Sequence, residues 1–282
     1  LRQPMAEGKE ATFEAIDRSV KEALASNTKS VYILTSTILS PTTKEVINQF
    51  IAKYPTAKHV TYDAISYSGM LQANEASYGK RALPSYHFDK AQTIFGLGAD
   101  FLGTWLSPAE FSKQYAQGRK VTAKNLNMSK HYQVEANHTI TGAAADDRAT
   151  CKPSEMGAVA IALYNAVTTG AAPSLASKKL NTLVTKAAAD LKKGNGLVVC
   201  GANDVNIQTV VNAINAAIGA NGTTINWAVT SNYKAGIDAD MVALTDAMSK
   251  GEVGAVFMQD VNPVYDYYNG KKFAEALKNV AV

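Results

Sequence analysis

The residues of this sequence with the types and spacing to hold a ligand follow a short apolar segment that we predict to be a β-strand. Residues 96–100, with the sequence GLGAD, end that segment, and glycines placed after a strand let the backbone approach a phosphate group. The dinucleotide-binding pattern G-x-G-x-x-G requires a third glycine at the position where this chain has Phe101. Gly96, Gly98 and Asp100 are therefore candidates for a remnant nucleotide pocket, and a tight turn that needs glycine explains the same residues.

A second candidate is the charged sequence Asp146-Asp147-Arg148, which follows a stretch of small residues. One interpretation is a polar pocket in which Asp146 and Arg148 contact a nucleotide or a partner subunit. The other is a solvated loop with a local ion pair that contributes little to stability. The sequence leaves both interpretations open.

Several kinds of catalytic and metal site are excluded by missing motifs. The chain has no P-loop, no H-E-x-x-H, no G-x-S-x-G and no C-x-x-C-H sequence. Its 2 cysteines cannot build a cluster that needs four thiolates, and we expect Cys151 and Cys200 to be small buried apolar residues. His131 and His138 flank a predicted strand without a nearby cysteine, so we expect hydrogen-bonded or surface histidines. We predict no catalytic and no metal-binding residue in this chain.

Composition narrows the class of protein further. A chain of 282 residues is long enough for about two domains. The net charge of +4 is too small for a nucleic-acid-binding surface, and no apolar run approaches the length of a membrane span. Only 18% of the residues are charged, below the usual quarter, which indicates that other proteins cover part of the surface.

The elements that must position the candidate residues alternate between short strands and longer helices. Strands are predicted at residues 30–37, 59–62, 93–98, 131–136, 197–200, 225–229 and 255–258. Helices are predicted at residues 10–26, 108–118, 154–168, 178–193, 204–218, 239–249 and 271–279. A further helix is predicted to start at residue 41, with a buried stripe at residues 46–51. This alternation predicts a Rossmann-like α/β fold with largely parallel sheets flanked by helices. Ligands of such sheets bind at the carboxyl ends of the strands.

Local signals indicate where two of these helices begin and where one of them ends. Ser40 followed by Pro41 predicts an N-cap with proline at the first helical position. Ser107 and Glu110 have the spacing of a capping box, and Gly118 is placed to end that helix. The loop-like residues 169–177 predict a boundary between one α/β domain at residues 1–170 and a second at 171–282.

A set of ordered segments resembles the molybdopterin-oxidoreductase superfamily, in the branch near polysulfide and tetrathionate reductases. The segments are residues 77–91, 94–103, 132–136, 139–148, 152–155, 253–258 and 262–265. Within that branch the chain is most similar to the family of the molybdoenzyme-like, iron–sulfur subunit of bacterial alternative complex III. Because these segments begin mid-family and the chain starts at Leu1 rather than at a methionine, we expect a section of a longer subunit.

The resemblance implies a function that the residues alone do not give. It implies the α/β fold of the nucleotide-binding domains of molybdopterin oxidoreductases, without the molybdenum cofactor. It also implies iron–sulfur clusters elsewhere in the same subunit, and a scaffolding role in a complex that oxidises quinol and passes electrons to cytochrome c or a terminal oxidase. The implied partners are an integral membrane quinol-binding subunit and a multihaem cytochrome c subunit, at the periplasmic face of the inner membrane.

Two departures from active members of the superfamily bear on the cofactor. The N-terminal cysteine motif and a recognisable molybdenum ligand are missing from this sequence. Where many active members have a turn of the type Gly-Thr-Asp that contacts the guanine nucleotide, this chain has Ser154-Glu155-Met156, so that Glu155 joins the candidate pocket residues.

Two alternatives to the scaffolding hypothesis remain at the level of sequence. In the first alternative, the chain is a fragment of an active molybdopterin-dependent reductase, and the loops after Gly98 and around residues 146–155 hold the pterin nucleotide. In the second, the chain is a free-standing Rossmann-like nucleotide-binding protein.

Overall fold

A computed structural model describes residues 3–123 and 126–282 of the chain. Leu1, which enters the expectation of a longer subunit, lies outside the described residues. The contacts divide the chain into two compact units. Unit 1 contains the residues up to Ser66 together with Lys234–Val282, and unit 2 contains Tyr67–Tyr233.

The strands are short, and most of them are parallel. In chain order they are β1 (Met5–Ala6), β2 (Lys9–Glu10), β3 (Ser30–Thr35), β4 (Ala57–Thr61), β5 (Leu83–Tyr86), β6 (Thr93–Leu97), β7 (Lys130–Glu135), β8 (Asp147–Thr150), β9 (Gly196–Cys200), β10 (Ile225–Ser231) and β11 (Val253–Gln259). All seven predicted strands are found, with ends that differ from the prediction by at most about two residues.

Helices lie between most of the successive strands. In chain order they are α1 (Phe13–Ser26), α2 (Pro41–Lys53), α3 (Ser68–Tyr78), α4 (Pro108–Arg119), α5 (Ile140–Ala143), α6 (Met156–Thr168), α7 (Lys178–Leu191), α8 (Val205–Ala217), α9 (Asp238–Ser249), α10 (Pro263–Asp266) and α11 (Gly270–Leu277), with a 3-10 turn at Pro153–Glu155 before α6. The predicted mixed α/β fold with parallel sheets flanked by helices is confirmed.

Unit 1 is a three-stranded parallel sheet in the order β11-β3-β4 with helices on both faces. On one face Leu34 and Val60 pack against residues of α9 and α11, and on the other Val31 packs against residues of α1 and α2. This burial on both faces explains the continuous apolar sequence of β3, since a parallel strand covered by helices has no solvent face.

Unit 2 is a four-stranded parallel sheet in the order β8-β7-β6-β9. One face of the sheet, including Phe95 and Val134, packs against α6, α7 and α8 in one large core. In the same unit β5 pairs antiparallel with β10 through an irregular register.

The structure confirms one of the predicted helix signals and corrects the other two. Ser40 does cap α2, because its side chain accepts a hydrogen bond from the backbone N–H of Thr43. Ser107 makes no capping side-chain hydrogen bond, and the side chain of Glu110 instead accepts one from Gln114. Gly118 lies within α4, which continues to Arg119, so a glycine near a helix end is not always its last residue.

The observed units do not coincide with the predicted domain boundary at residue 170. That position lies inside unit 2, in the loop between α6 and α7. Both helices contribute to one core, in which Leu163 and Leu183 are buried. A loop-like sequence therefore marks a connection here, and unit 1 is assembled from two segments that are far apart in the sequence.

Candidate functional site

The topology of unit 2 selects one place at which a ligand of an α/β sheet is expected. Strands β6, β7 and β8 follow each other in one direction across the sheet, and β9 then lies on the other side of β6. The order of strands therefore reverses between β6 and β9, which is where open α/β sheets bind ligands, beyond the carboxyl ends of the strands. The loops after Leu97 and Cys200 border this switch point.

Backbone groups from the two loops approach each other closely at the switch point. The N–H of Gly201 donates a hydrogen bond to the carbonyl of Leu97 at 2.9 Å. A Cβ added to Gly201 would collide with the carbonyl oxygen of Gly98. Gly98 has a φ of +63°, and a Cβ there would lie 2.8 Å from the terminal methyl group of Met156. The close contact between the two loops therefore needs these glycines, and the side chain of Met156 covers Gly98.

Two groups that a phosphate would use are occupied by other partners. The N–H of Gly98 donates to the carbonyl of Val134 at 2.7 Å. Helix α8, which follows β9, is capped by the carboxylate of Asp204, which accepts a hydrogen bond of 2.9 Å from Ile207 N–H. A negatively charged side chain therefore already occupies the helix end at which a phosphate is normally held.

Asp100 lies in the loop after β6 and is held by hydrogen bonds within unit 2. One of its carboxylate oxygens accepts hydrogen bonds from the hydroxyl and the backbone N–H of Thr141, at 2.7 and 3.3 Å. The other accepts one from Thr104 at 3.3 Å, and a Cβ at Gly103 would collide with it. Asp100 thus ties the loop to α5.

The glycine requirement at Gly96 has a packing origin. A Cβ at this position of β6 would collide with the side-chain amide of Gln133 on the neighbouring strand. That amide donates a hydrogen bond to the carbonyl of Ala99 at 3.2 Å. Gly96 therefore makes room for a buried glutamine.

A row of buried polar side chains along β7 is the main feature that sequence reasoning missed. His131, Gln133 and Glu135 alternate along the strand and are at most 2% exposed. Because side chains two residues apart lie on the same face of a strand, these three share one face. A strand covered on both sides is normally apolar throughout, so the alternation in the sequence HYQVE was the available signal.

Hydrogen bonds connect this row to its surroundings. The two ring nitrogens of His131 lie 3.1 Å from the Tyr115 hydroxyl and 3.3 Å from the Gln133 side-chain oxygen. Burial lowers the pKa of His131 to about 4, so the imidazole is neutral at ordinary pH. His131 is thus a hydrogen-bonded histidine and His138 is an exposed one, in agreement with the interpretation of both from the sequence.

Glu135 and Arg148 form an ion pair at the carboxyl end of β7. The Nε of Arg148 lies 2.5 Å from a carboxylate oxygen of Glu135, whose side chain is 2% exposed. Thr139 donates two further hydrogen bonds to that carboxylate, from its hydroxyl at 2.6 Å and its backbone N–H at 3.3 Å. Burial raises the pKa of Glu135, but the hydrogen bonds from Thr139 and Arg148 outweigh it and hold the pKa below its ordinary value.

Asp146 lies at the other end of the sheet from Gly98 and Asp100, because β8 runs parallel to β7 and Asp146 directly precedes it. Its carboxylate accepts two hydrogen bonds from Arg119, at 2.6 and 2.9 Å, and one from the N–H of His131 at 2.8 Å. Burial raises the pKa of Asp146, and the hydrogen bonds from Arg119 and His131 lower it by more. Asp146 is therefore a member of a local ion pair, but Asp147 and Arg148 lie in strand β8 and the predicted solvated loop is not found.

Glu155 lies at the end of the 3-10 turn and borders a shallow cavity. Its carboxylate accepts a hydrogen bond from the backbone N–H of Lys152 at 2.9 Å. The cavity has a volume of about 390 Å³ and is also lined by Thr150 and Cys151.

The six candidate pocket residues do not form one pocket. Asp100 is bonded to α5, and Arg148 is bonded to Glu135 on the strand that precedes α5. Gly98 makes the contact between loops at the switch point, and the remaining three, Gly96, Asp146 and Glu155, have separate local roles.

These residues do not fit the phosphate groups of a pterin nucleotide at the switch point. The carboxyl end of β7 carries the carboxylate of Glu135, and the loops after β6 and β9 carry those of Asp100 and Asp204. The cation Arg148 is paired with Glu135. Like charges in a partly buried site repel strongly, so an anionic cofactor would meet carboxylates where it requires N–H groups. Met156 also occupies the space above Gly98.

The cysteines are buried, as predicted. Cys151 and Cys200 are 7% and 1% exposed and carry free thiols. Burial raises the pKa of both, in the case of Cys200 to about 12. In the part of the chain that the structure describes, no group of three or more His, Cys, Asp or Glu side chains is arranged to hold a metal ion. Within the same residues, no helix combines the length and apolar character needed to cross a membrane.

Comparison with known proteins gives the fold and no closer relationship. No protein-family model and no curated protein match this sequence. The chain is similar in structure to acetylene hydratase from Pelobacter acetylenicus, with a TM-score of 0.70 and 11% identity over 100% of this chain and 51% of that one. It is also similar to the formyltransferase/hydrolase complex from Methylorubrum extorquens, solved with methylofuran, with a TM-score of 0.55 and 12% identity over 96% of this chain and 63% of that one.

Both similarities concern only part of the other protein. The chain spans about half of acetylene hydratase and under two thirds of the formyltransferase/hydrolase chain. At identities this low the likeness extends to the fold alone. It supports an α/β fold with parallel sheets flanked by helices.

Proposed function

We propose that this chain is a structural, non-catalytic section of the iron–sulfur subunit of a quinol-oxidising respiratory complex of the alternative complex III type. The observation that carries the proposal is that side chains of the protein occupy the switch point of unit 2, where a nucleotide would bind. A fold shared with acetylene hydratase, a molybdopterin-family enzyme, is here combined with a nucleotide-binding edge filled by Met156 and by carboxylates.

The side chains at this edge have structural tasks that explain their presence. Asp100 joins the loop after β6 to α5, and Arg148 compensates the charge of buried Glu135. Both charged groups are thus held by other side chains of this chain, Thr141 and Glu135. Such satisfied polar networks fix one arrangement of a core, which is the property that a scaffold needs.

Exposed apolar side chains agree with a place inside a larger assembly. In unit 1, Tyr265 and Tyr268 of the segment after β11 are 88% and 82% exposed, and Ile65 after β4 is 75% exposed. Tyrosine is enriched at protein interfaces relative to the rest of the surface. The proposed partners are the cluster-bearing part of the same subunit, a membrane quinol-binding subunit and a multihaem cytochrome c subunit, on the periplasmic side of the inner membrane.

Metal analysis of the purified native complex tests the proposal. We expect iron in stoichiometric amounts, no molybdenum, and a haem-bearing subunit that co-purifies with this chain. Pterin fluorescence after acid release gives an independent readout of the cofactor. One molybdenum per complex, or purification of the chain without redox partners, would overturn the proposal.

The alternative of an active molybdopterin-dependent reductase predicts the opposite metal content. A variant separates the two hypotheses further. Replacing Met156 by alanine opens the space above Gly98, and in a scaffold this leaves quinol oxidation by the complex unchanged. An enzyme that holds a nucleotide at this edge would change its activity.

A further inference from the structure

A small cavity lies in unit 2 between strand β5 and the beginning of helix α4. Its volume of about 240 Å³ is below that of most sites for drug-sized ligands, so it suits a group of side-chain size. All four residues of β5 line it. Because successive side chains of a strand point to opposite faces, this places the cavity along an edge of β5. The other lining residues are Leu106, Ser107, Glu110, Phe111, Ser231 and Tyr233.

This edge of β5 is the one that β10 leaves unpaired. The N–H of His87 donates a hydrogen bond to the carbonyl of Thr224 at 2.8 Å, and the backbone groups of an antiparallel strand alternate between its two sides. Tyr86, which lies opposite Ile225, therefore directs its N–H and C=O away from β10. The partner strand agrees, since Ile225 bonds through its own N–H and C=O to the turn at residues 220–222.

The same edge faces α4, and one of its backbone donors lacks an acceptor. Phe88 points to the same side as Tyr86, and its N–H donates to the side-chain oxygen of Gln114 on α4 at 2.8 Å. The N–H of Tyr86 has no such acceptor among the residues that the structure describes. Tyr86 is 7% exposed, and buried N–H groups are almost always hydrogen-bonded. The cavity beside it is the space in which an acceptor fits.

The electrostatics of the cavity favour a cation. Of the residues that line it, Glu110 alone is charged. Its carboxylate accepts a hydrogen bond from Gln114 at 3.1 Å and forms no ion pair within the described part of the chain. A full negative charge outweighs the partial charge of about +0.5 at the start of a helix. Leu83, Leu106 and Phe111 add an apolar wall, which suits the aliphatic stem of lysine or arginine.

We propose that an extended peptide segment of another protein pairs with this edge of β5 and places a lysine or arginine side chain in the cavity. A carbonyl of the segment accepts the hydrogen bond from Tyr86 N–H, and the cation meets the carboxylate of Glu110. Addition of a strand to a sheet edge gains affinity from main-chain hydrogen bonds and specificity from side-chain pockets. Pro84 within β5 agrees with this position, since proline in a sheet is confined to edges. The site does not depend on the proposed scaffolding function, in which none of these residues takes part.

Fluorescence anisotropy with labelled, capped pentapeptides tests the site on the full chain. The first peptide alternates valine and threonine around a central lysine, and the second carries norleucine in place of the lysine. We expect saturable binding of the lysine peptide and binding about tenfold or more weaker for the norleucine peptide, because a charge-assisted hydrogen bond is lost. The variant Glu110→Gln keeps an acceptor for Gln114 and should weaken binding of the lysine peptide alone.

The matched control is Glu252→Gln, which removes the same charge from an exposed position in unit 1. This control should bind the lysine peptide within about twofold of wild type, as expected for a distant surface charge. No saturable binding to the wild-type chain, equal affinity for the two peptides, or equal weakening in Glu110→Gln and Glu252→Gln would overturn the proposal.

Nuclear magnetic resonance of the chain labelled with ¹⁵N-tyrosine separates strand pairing from an ion pair alone. The amide signal of Tyr86 is assigned by its absence in Tyr86→Phe. We expect this signal to move downfield and its hydrogen exchange to slow when the lysine peptide saturates the chain, because the N–H gains an acceptor. An unchanged Tyr86 amide at saturation would contradict the pairing with β5 and overturn the proposal.

Discussion

Replacing Arg148 by methionine tests the account of the buried ion pair most directly. The Glu135 side chain is 2% exposed and that of Arg148 is 25% exposed. The variant leaves a buried carboxylate without its counter-charge, a change that costs about 3–5 kcal/mol of unfolding free energy in buried pairs. Because Thr139 still donates two hydrogen bonds, we expect about 3 kcal/mol, the lower end of that range.

The pH dependence of this effect has a definite sign. In the wild-type chain the pKa of Glu135 is lowered, so the carboxylate stabilises the fold above the ordinary pKa, and this contribution is lost as the pH falls through the lowered value. Without Arg148, only the hydrogen bonds from Thr139 oppose the effect of burial, so the pKa of Glu135 rises from its wild-type value. The cost of Arg148→Met should therefore shrink between about pH 7 and pH 5, since the variant then protonates Glu135 in the folded state.

Urea unfolding followed by tryptophan fluorescence measures the free energy of unfolding of unit 2, which contains the ion pair. The 2 tryptophans of the chain, Trp105 and Trp227, both lie in unit 2 with the ion pair. The second variant Glu135→Gln/Arg148→Met keeps an acceptor for Thr139 without the charge, and should recover about 1 kcal/mol or more. A cost of Arg148→Met below about 1 kcal/mol, or one that is the same at both pH values, would refute the reasoning.

Three further experiments test other parts of unit 2: a pair of glycine substitutions, an arginine substitution and a thiol titration. Gly201→Ala should cost about 2 kcal/mol or more in urea unfolding because its Cβ meets a backbone carbonyl, whereas Gly157→Ala on α6 has room and should stabilise by about 0.5–1 kcal/mol. Arg119→Met loses a bidentate pair with side chains 19% and 18% exposed and should cost about 1–3 kcal/mol. Thiol-reagent titration should find Cys200 unreactive in the folded chain at mildly alkaline pH, since burial raises its pKa to about 12.

Each of these has a control that can contradict it. Equal effects of the two alanine substitutions would mean that the contact between the loops yields without cost. Arg81→Met removes an exposed ion pair with side chains 49% and 45% exposed and should change stability by about 0.5 kcal/mol or less; a larger loss there than in Arg119→Met contradicts the role given to burial. Rapid modification of Cys200 before urea is added would show that its thiol is accessible.

The sequence predicts most elements but misses those that depend on their neighbours. Strand β8 begins with the charged residues Asp147 and Arg148, and nothing in that pattern indicates a strand. It forms because the edge of β7 is free to pair with it, and because Glu135 on β7 forms an ion pair with Arg148. Helix α3 was missed for a similar reason: it has a weak amphipathic pattern, and its residue Gly69 packs against the backbone of Asp204.

The candidate pocket residues likewise show what the sequence predicts and what depends on neighbouring residues. The sequence identified Gly96, Gly98 and Asp100 as residues with a special role, and each does have one. It could not tell packing from ligand binding, because a glycine is required equally by a phosphate, by Gln133 opposite Gly96 or by Met156 opposite Gly98. That distinction depends on which atoms lie opposite, and those atoms come from distant parts of the chain.

By itself, the sequence determined the alternation of strands and helices, since hydrophobic periodicity and helix caps are local properties. It also determined that the cysteines are too few for a cluster. Only the tertiary structure decided that unit 1 joins two distant segments of the chain and that the order of strands reverses between β6 and β9. The tertiary structure alone also placed three carboxylates together at the carboxyl ends of the strands of unit 2, because contacts between residues far apart in sequence leave no periodic signal in the chain.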